Sequence, residues 1–145
     1  MIGLIQRVTS AKVTVAQKTV GEIESGILLF LGIQKEDCAE ASERLARRIL
    51  DYRIFPDANG NMNLSLRQVD GGLLVVSQFT LAANTDTGLR PSFSQAAASS
   101  TARPLYEAFV AHAHLLHGTV ETGIFGADMQ VSLCNDGPVT FILQN

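Results

Sequence analysis

An α/β fold, one compact sheet carrying two main helices, is what the order of patterns along the chain predicts. Three observations carry that reading. Alternating or continuously apolar segments open and close the sequence, and two stretches of helical period lie between them. The 145 residues are 46% hydrophobic and 17% charged, enough apolar material for a full core. That length suits one domain, residues 1–145, and no linker, repeat or low-complexity tract divides it.

Residues 2–8 and 11–16 alternate and are rich in Ile, Val and Thr, the mark of two strands, and Gly21 and Gly26 punctuate the next stretch. Gly26-Ile27-Leu28-Leu29-Phe30-Leu31-Gly32-Ile33 is a continuous apolar run bounded by glycines, as expected of a strand buried on both faces. A helix comes next. Asp37 with Glu40 three residues on forms a capping-box pattern. Leu45 and Ile49 recur at four-residue spacing, with Arg44, Arg47 and Arg48 on the wet side. Tyr52 to Phe55 reads as a short strand stopped by Pro56 and the turn cluster Asp57-Ala58-Asn59-Gly60-Asn61. Gly72 to Phe79 is a second buried strand, followed by a loop through Gly88 and Pro91. A second helix is predicted over 95–117, with Pro104 marking its start or a kink, and Leu105, Phe109 and His112 or Leu116 as its apolar stripe. Two strands, 128–135 and 139–144, close the chain around Asn135-Asp136-Gly137-Pro138.

Composition also bounds function. A net charge of −3 argues against a protein that coats nucleic acid, though not against one that meets the end of an RNA through a local basic patch. No apolar run approaches the roughly 20 residues of a membrane span. The first residues lack the compact apolar stretch of a signal peptide, so a cytoplasmic protein is expected. Cys38 and Cys134 are distant and unaccompanied, which reads as two reduced thiols.

Side-chain chemistry offers no self-evident machinery. On a helix His112 and His114 point to nearly opposite sides, and no Cys or carboxylate joins His114 and His117 at ligand spacing. Solvated surface histidines, with no metal and no cofactor, are the expectation. Ser77-Gln78-Phe79-Thr80 ends a buried strand, where α/β sheets place ligands. A Ser or Thr nucleophile needs a base in reach, and no His or Asp is marked as one. Polar residues closing a turn are an equal reading. Glu121, Asp128 and Asp136 read as solvated carboxylates. Gly137-Pro138 is a prolyl bond, the only kind of peptide bond that adopts cis cheaply, but a trans turn between strands is the plainer reading.

Taken together, several blocks resemble the D-aminoacyl-tRNA deacylase family. They are Met1-Ile2-Gly3-Leu4-Ile5-Gln6-Arg7-Val8, Tyr52-Arg53-Ile54-Phe55, Met62-Asn63-Leu64, Ser77-Gln78-Phe79-Thr80-Leu81 and Gly88-Leu89-Arg90-Pro91-Ser92-Phe93. Thr122-Gly123-Ile124-Phe125-Gly126-Ala127-Asp128-Met129-Gln130-Val131 and Asn135-Asp136-Gly137-Pro138-Val139-Thr140 complete the set. The pair Ser-Gln-Phe-Thr and Asn-Asp-Gly-Pro-Val-Thr is specific together and weak apart.

The resemblance implies a single deacylase-like domain with a mixed sheet in barrel-like layers. It implies a homodimer that hydrolyses the ester of D-aminoacyl-tRNA, or of glycyl-tRNA mischarged on alanine tRNA, and binds its 3′-terminal adenosine. Ser77, Gln78, Phe79 and Thr80 would line the pocket, with Phe125 and Met129 beside the adenine and amino acid. Gly137-Pro138, held cis, would enter the partner's pocket. D and L esters share every functional group, so discrimination needs a rigid obstacle where the L side chain points. Main-chain N–H groups of Phe79 and Thr80 would stabilise the oxyanion, and the tRNA 2′-hydroxyl would assist water. Lys12, Arg7, Arg53, Arg90 and Arg103 are candidates for meeting phosphates. Competing readings are a non-catalytic RNA- or nucleotide-binding module, an L-specific editing module of the kind appended to threonyl-tRNA synthetases, and a Ser or Thr peptidase.

Overall fold

The computed structural model describes residues 1–86 and 88–144. Strands β1 (Ile2–Val15), β2 (Lys18–Ile23) and β3 (Gly26–Gly32) precede helix α1 (Ala39–Asp51). A ribbon of β4 (Phe55–Pro56) and β5 (Met62–Leu64) leads to the short helix α2 (Leu66–Val69) and to β6 (Gly72–Ser77). After a 3-10 turn over Phe79–Ala82 come α3 (Ser99–Leu116), β7 (Val120–Thr122) and β8 (Gln130–Gln144).

The main sheet runs β2-β1-β3-β6-β7, with β8 on the other edge of β1. β1 is antiparallel to β2, β3 and β8, whereas β6 is parallel to both β3 and β7. β2 curls back against β7: a methyl on Gly21 would stand 2.5 Å from the Thr122 carbonyl oxygen. The sheet is therefore nearly closed and barrel-like. β3 and β6 are apolar on both faces because both faces are covered. Leu29, Leu73 and Val75 point toward α1 and α3, where they meet Leu45, Ile49 and Phe109. Their neighbours Leu28, Leu74 and Val76 point the other way and meet Val8, Val13 and Ile23. The two-residue period of a strand thus divides one apolar run between two cores. Each such buried Leu, Ile or Val contributes roughly 1.5–3 kcal/mol. α1 buries Ala41, Leu45, Ala46, Ile49 and Leu50 and exposes Arg44, Arg47 and Arg48, as its period predicts.

Several boundaries differ from expectation. The strands expected at 2–8 and 11–16 are one. Thr9 and Ser10 lie where β1 exchanges β3, last paired at Val8–Gly26, for β2, first paired at Ala11–Ile23. The strands expected at 128–135 and 139–144 are likewise one, β8, and Asn135 to Pro138 is no turn between them. The Asn135 side chain spans the irregular stretch: its Oδ1 accepts the Val139 N–H at 2.6 Å and its Nδ2 donates to the Val139 carbonyl at 3.2 Å. Asp37 does not cap α1. The cap is Cys38, and the Asp37 carboxylate is taken by the Met1 amine and the Gln34 N–H. The capping box that does form is Ser65 with Gln68, on α2.

The Tyr52–Phe55 strand shrinks to β4, and the 72–79 strand stops at Ser77. The second helix begins at Ser99 rather than 95, and Pro104 lies inside it. Its buried stripe is Ala102, Tyr106, Phe109 and Ala113, with Leu105, His112 and Leu116 only half-buried. His117 is no surface histidine: it is buried, its Nε2 2.6 Å from the Gly71 carbonyl oxygen, while His114 is exposed. Cys38 and Cys134 are free and exposed.

Candidate active site

The parallel strands β3 and β6 end side by side, with Leu31 paired to Ser77. Parallel neighbours cannot be joined by a tight turn, so each chain leaves the sheet there and a hollow opens above the strand ends. Its volume is about 480 Å³. Leu31, Ile33, Val76 and Ser77 form the floor, Gln78 and Phe79 one wall, and Ala97, Ser99 and Ala102 of the α3 entrance another. Phe125, Gly126, Ala127, Met129 and Val131 close it.

The wall is mostly apolar, and no lining residue is an Asp, Glu, His, Cys, Lys or Arg. No side chain of the lining can therefore serve as a general base at neutral pH. Tyr106, behind Phe125 with ring centroids 5.5 Å apart, does not supply one either. Its hydroxyl donates to the Val75 carbonyl at 3.0 Å, and burial pushes its pKa up to about 12. The polar groups that remain are hydroxyls, the Gln78 amide and the main chain. The Gln78 N–H is fixed to the Leu31 carbonyl at 2.8 Å, and the Leu81 N–H to the Gln78 carbonyl at 3.2 Å. Between them, the N–H groups of Phe79 and Thr80 open the 3-10 turn and so have no acceptor within it. What this arrangement offers a ligand is shape, apolar contact and main-chain dipoles.

Of the residues singled out by sequence, Ser77, Gln78, Phe79, Phe125 and Met129 meet in this pocket. Thr80 stands outside the lining, exposed, its Oγ1 accepting from Gln78 Nε2 at 2.6 Å. The Phe79 ring is 60% exposed and tilts against Phe93 with centroids 5.1 Å apart. Gly137-Pro138 is cis, as the resemblance implies. It lies on β8, exposed, and does not line the pocket of its own chain.

One residue of this region was not singled out for the role it occupies. Arg7 is 9% exposed among the core residues of β1. It donates from Nη1 to the Ile54 carbonyl at 2.6 Å and from Nε to the Asp136 carbonyl at 3.0 Å, with Asp136 Oδ2 at 3.1 Å. The arginine thus ties the residue before Gly137 to the body of the fold. A signal was present: by alternation Arg7 shares the inward face of Ile5, and a lone charge on a core face needs partners. No group of three or more His, Cys, Asp or Glu among the described residues is placed to hold a metal ion.

Comparison with known proteins agrees with this architecture along the whole chain. A family model described as D-Tyr-tRNA(Tyr) deacylase matches residues 4–144. A D-aminoacyl-tRNA deacylase of Pseudoalteromonas translucida is 62% identical over 143 residues, 99% of each chain. One of Cellvibrio japonicus is 59% identical over 144 residues, again 99% of each. Among solved structures, a c-Myc DNA unwinding element binding protein superposes with TM-score 0.96 at 36% identity, covering 100% of this chain and 99% of that one. A probable eukaryotic D-amino acid tRNA deacylase gives 0.88 at 17% identity, over 98% and 97%, a likeness of fold. The chain belongs to the D-Tyr-tRNA(Tyr) deacylase family of hydrolases.

Proposed function

We propose that this protein cleaves the ester of D-aminoacyl-tRNAs, and of glycyl-tRNA mischarged on alanine tRNA, in the cytoplasm, and leaves L esters intact. The observation that carries the reading is full-length similarity, 62% and 59%, to proteins named for that reaction. The pocket supports it chemically. An aminoacyl ester is already activated, so a wall without an ionisable side chain is no obstacle. The vicinal 2′-hydroxyl of the RNA helps water to attack, and the N–H groups of Phe79 and Thr80 stabilise the oxyanion, in general a large term in acyl transfer.

The same reading has Gly137-Pro138 act in the pocket of a second copy, where rigid main chain blocks an L side chain and passes a D side chain or glycine. Two observations support it. The pair is exposed and stands outside the lining of the candidate pocket of its own chain. Its strand also exposes Leu133 at 37%, Phe141 at 37% and Ile142 at 61%, apolar surface suited to a partner.

The test is deacylation of D-tyrosyl-tRNA beside L-tyrosyl-tRNA by purified protein without added metal. Loss of the D ester alone is expected. Loss of both esters would keep the hydrolase and reject the filter. The name of the 36%-identical solved structure favours a second reading, a nucleic-acid-binding module, which takes over if neither ester is cleaved.

Thr80 gives a sharper check on mechanism. Its hydroxyl accepts a hydrogen bond from Gln78, so its role is to hold the Gln78 side chain rather than to attack. Thr80→Val is expected to lower kcat by about tenfold or less, the scale of one lost neutral hydrogen bond. A nucleophile would show a loss of several orders of magnitude and an aminoacyl-enzyme trapped by acid quench, and either result would refute this assignment.

A further inference from the structure

Of the eleven Lys and Arg residues, five are engaged by polar groups of the described residues. Arg7, Arg48 and Arg53 donate to main-chain carbonyls, and Arg47 and Arg67 pair with Glu43 and Asp51. Lys12 lies opposite Glu22 on β2, and Arg90 sits in the exposed loop closed by the Asn84–Ser92 bridge. Arg103 differs. It is exposed, and among the described residues it has no carboxylate at ion-pair distance. Its guanidinium carbon stands 5.2 Å from the centroid of the Phe125 ring, a pocket wall. Ser99, one turn earlier on α3, and the adjacent Ala102 also line the pocket. Stacking on an aromatic face fixes a planar guanidinium while leaving its N–H fork free. An unpaired positive charge is therefore held in place at the rim of a pocket whose wall has none.

The substrate class proposed above supplies the complement. An aminoacylated adenosine carries an ammonium and no anion, so its nearest negative charge is the phosphodiester on the 5′ side of the terminal nucleotide. The protein's net charge of −3 gives no general attraction for RNA. Contact must come from local cations. The geometry points to Arg103 as the residue that binds that phosphodiester, positioning the 3′ end by a charge-assisted fork stacked on Phe125. This inference rests on the deacylase reading for the identity of the RNA end, but its physical content is a phosphate contact at one named residue.

The experiment uses full-length protein, with Arg103→Gln and Arg103→Lys beside the wild type. Binding of unacylated tRNA is followed against salt, and turnover is followed on D-tyrosyl-tRNA and on 3′-O-D-tyrosyl adenosine, which has no phosphate. Arg103→Gln is expected to reduce the slope of log affinity against log salt by about 0.7, one single-strand phosphate contact. Arg103→Lys retains the slope. On the tRNA ester, Arg103→Gln raises KM by about three- to tenfold with kcat little changed, while the nucleoside ester loses much less. An unaltered salt slope, or equal losses on the two esters, overturns the inference. If the wild type cleaves neither ester and the slope still falls, the deacylase reading fails while the phosphate contact stands.

Discussion

Gly26→Ala is expected to unfold the protein or to destabilise it by about 4 kcal/mol or more, the upper end for a point substitution. Gly26 and Gly72 are the first matched pair of the parallel β3–β6 ladder. A methyl on Gly26 would lie 1.9 Å from the Gly72 carbonyl oxygen, 2.7 Å from its nitrogen and 2.8 Å from its carbonyl carbon. All three are main-chain atoms, so no rotamer change relieves the overlap. The strands must part at the end where Gly72 N–H also bonds the Ser25 carbonyl at 3.0 Å. The same ladder ends at Leu31 and Ser77, the floor of the pocket, so activity falls with stability. The check is urea unfolding beside Gly118→Ala, where a methyl meets nothing within 4 Å. The control should shift by about 0.5 kcal/mol or less, as surface changes do. A Gly26→Ala protein within about 1 kcal/mol of wild type would show that the two strands leave room for a methyl and refute the close approach.

Such close approach also explains what could and could not be read from the sequence. The glycine-bounded apolar run 26–33 and the Leu-Leu-Val-Val run told correctly of strands buried on both faces, because continuous apolarity has few other causes. The period of α1 placed Leu45 and Ile49 inward for the same reason. Boundaries failed where a long-range partner overrode a local signal. β8 continues through Asn135-Asp136-Gly137-Pro138 because Asn135 braces Val139 and β1 pairs on either side, none of which spacing reveals. Asp37 looked like a cap, but its carboxylate had partners from outside the helix. The pocket was half legible. The strand-end rule offered Ser77-Gln78-Phe79-Thr80 as a ligand site or, equally, as polar residues closing a turn, whereas Phe125 and Met129 were named through the family resemblance. Arg103 was one basic residue among several until the fold brought α3 against the Phe125 loop.

Arg7→Ala should produce the second large effect, on stability and on discrimination at once. The side chain satisfies the Ile54 carbonyl, a buried bond, and holds the Asp136 carbonyl next to Gly137. Removing it leaves the Ile54 carbonyl without that donor and takes the charge-assisted bond to the Asp136 carbonyl from the segment. A loss of about 3 kcal/mol in urea unfolding is expected from those terms. The Asp136 carboxylate adds little, since it is 49% exposed and screened by water. Asp136→Asn should therefore stay within about 1 kcal/mol of wild type while keeping the main-chain contact. Gly137 has φ of +144°, and a methyl there would lie 2.5 Å from Val139 Cγ2 and 3.4 Å from Arg7 Nη2. The arginine, Val139 and the glycine thus form one packed unit. If Gly137-Pro138 blocks L side chains as proposed, loosening that unit moves the obstacle, and misplacement by about 1 Å at a reacting centre can lose about a hundredfold in rate. Arg7→Ala, measured where it remains folded, is then expected to lower kcat/KM on D-tyrosyl-tRNA and to narrow the gap between D and L esters, with Asp136→Asn retaining both. Destabilisation with unaltered discrimination would assign Arg7 to the fold alone and separate the filter from the contacts that surround it.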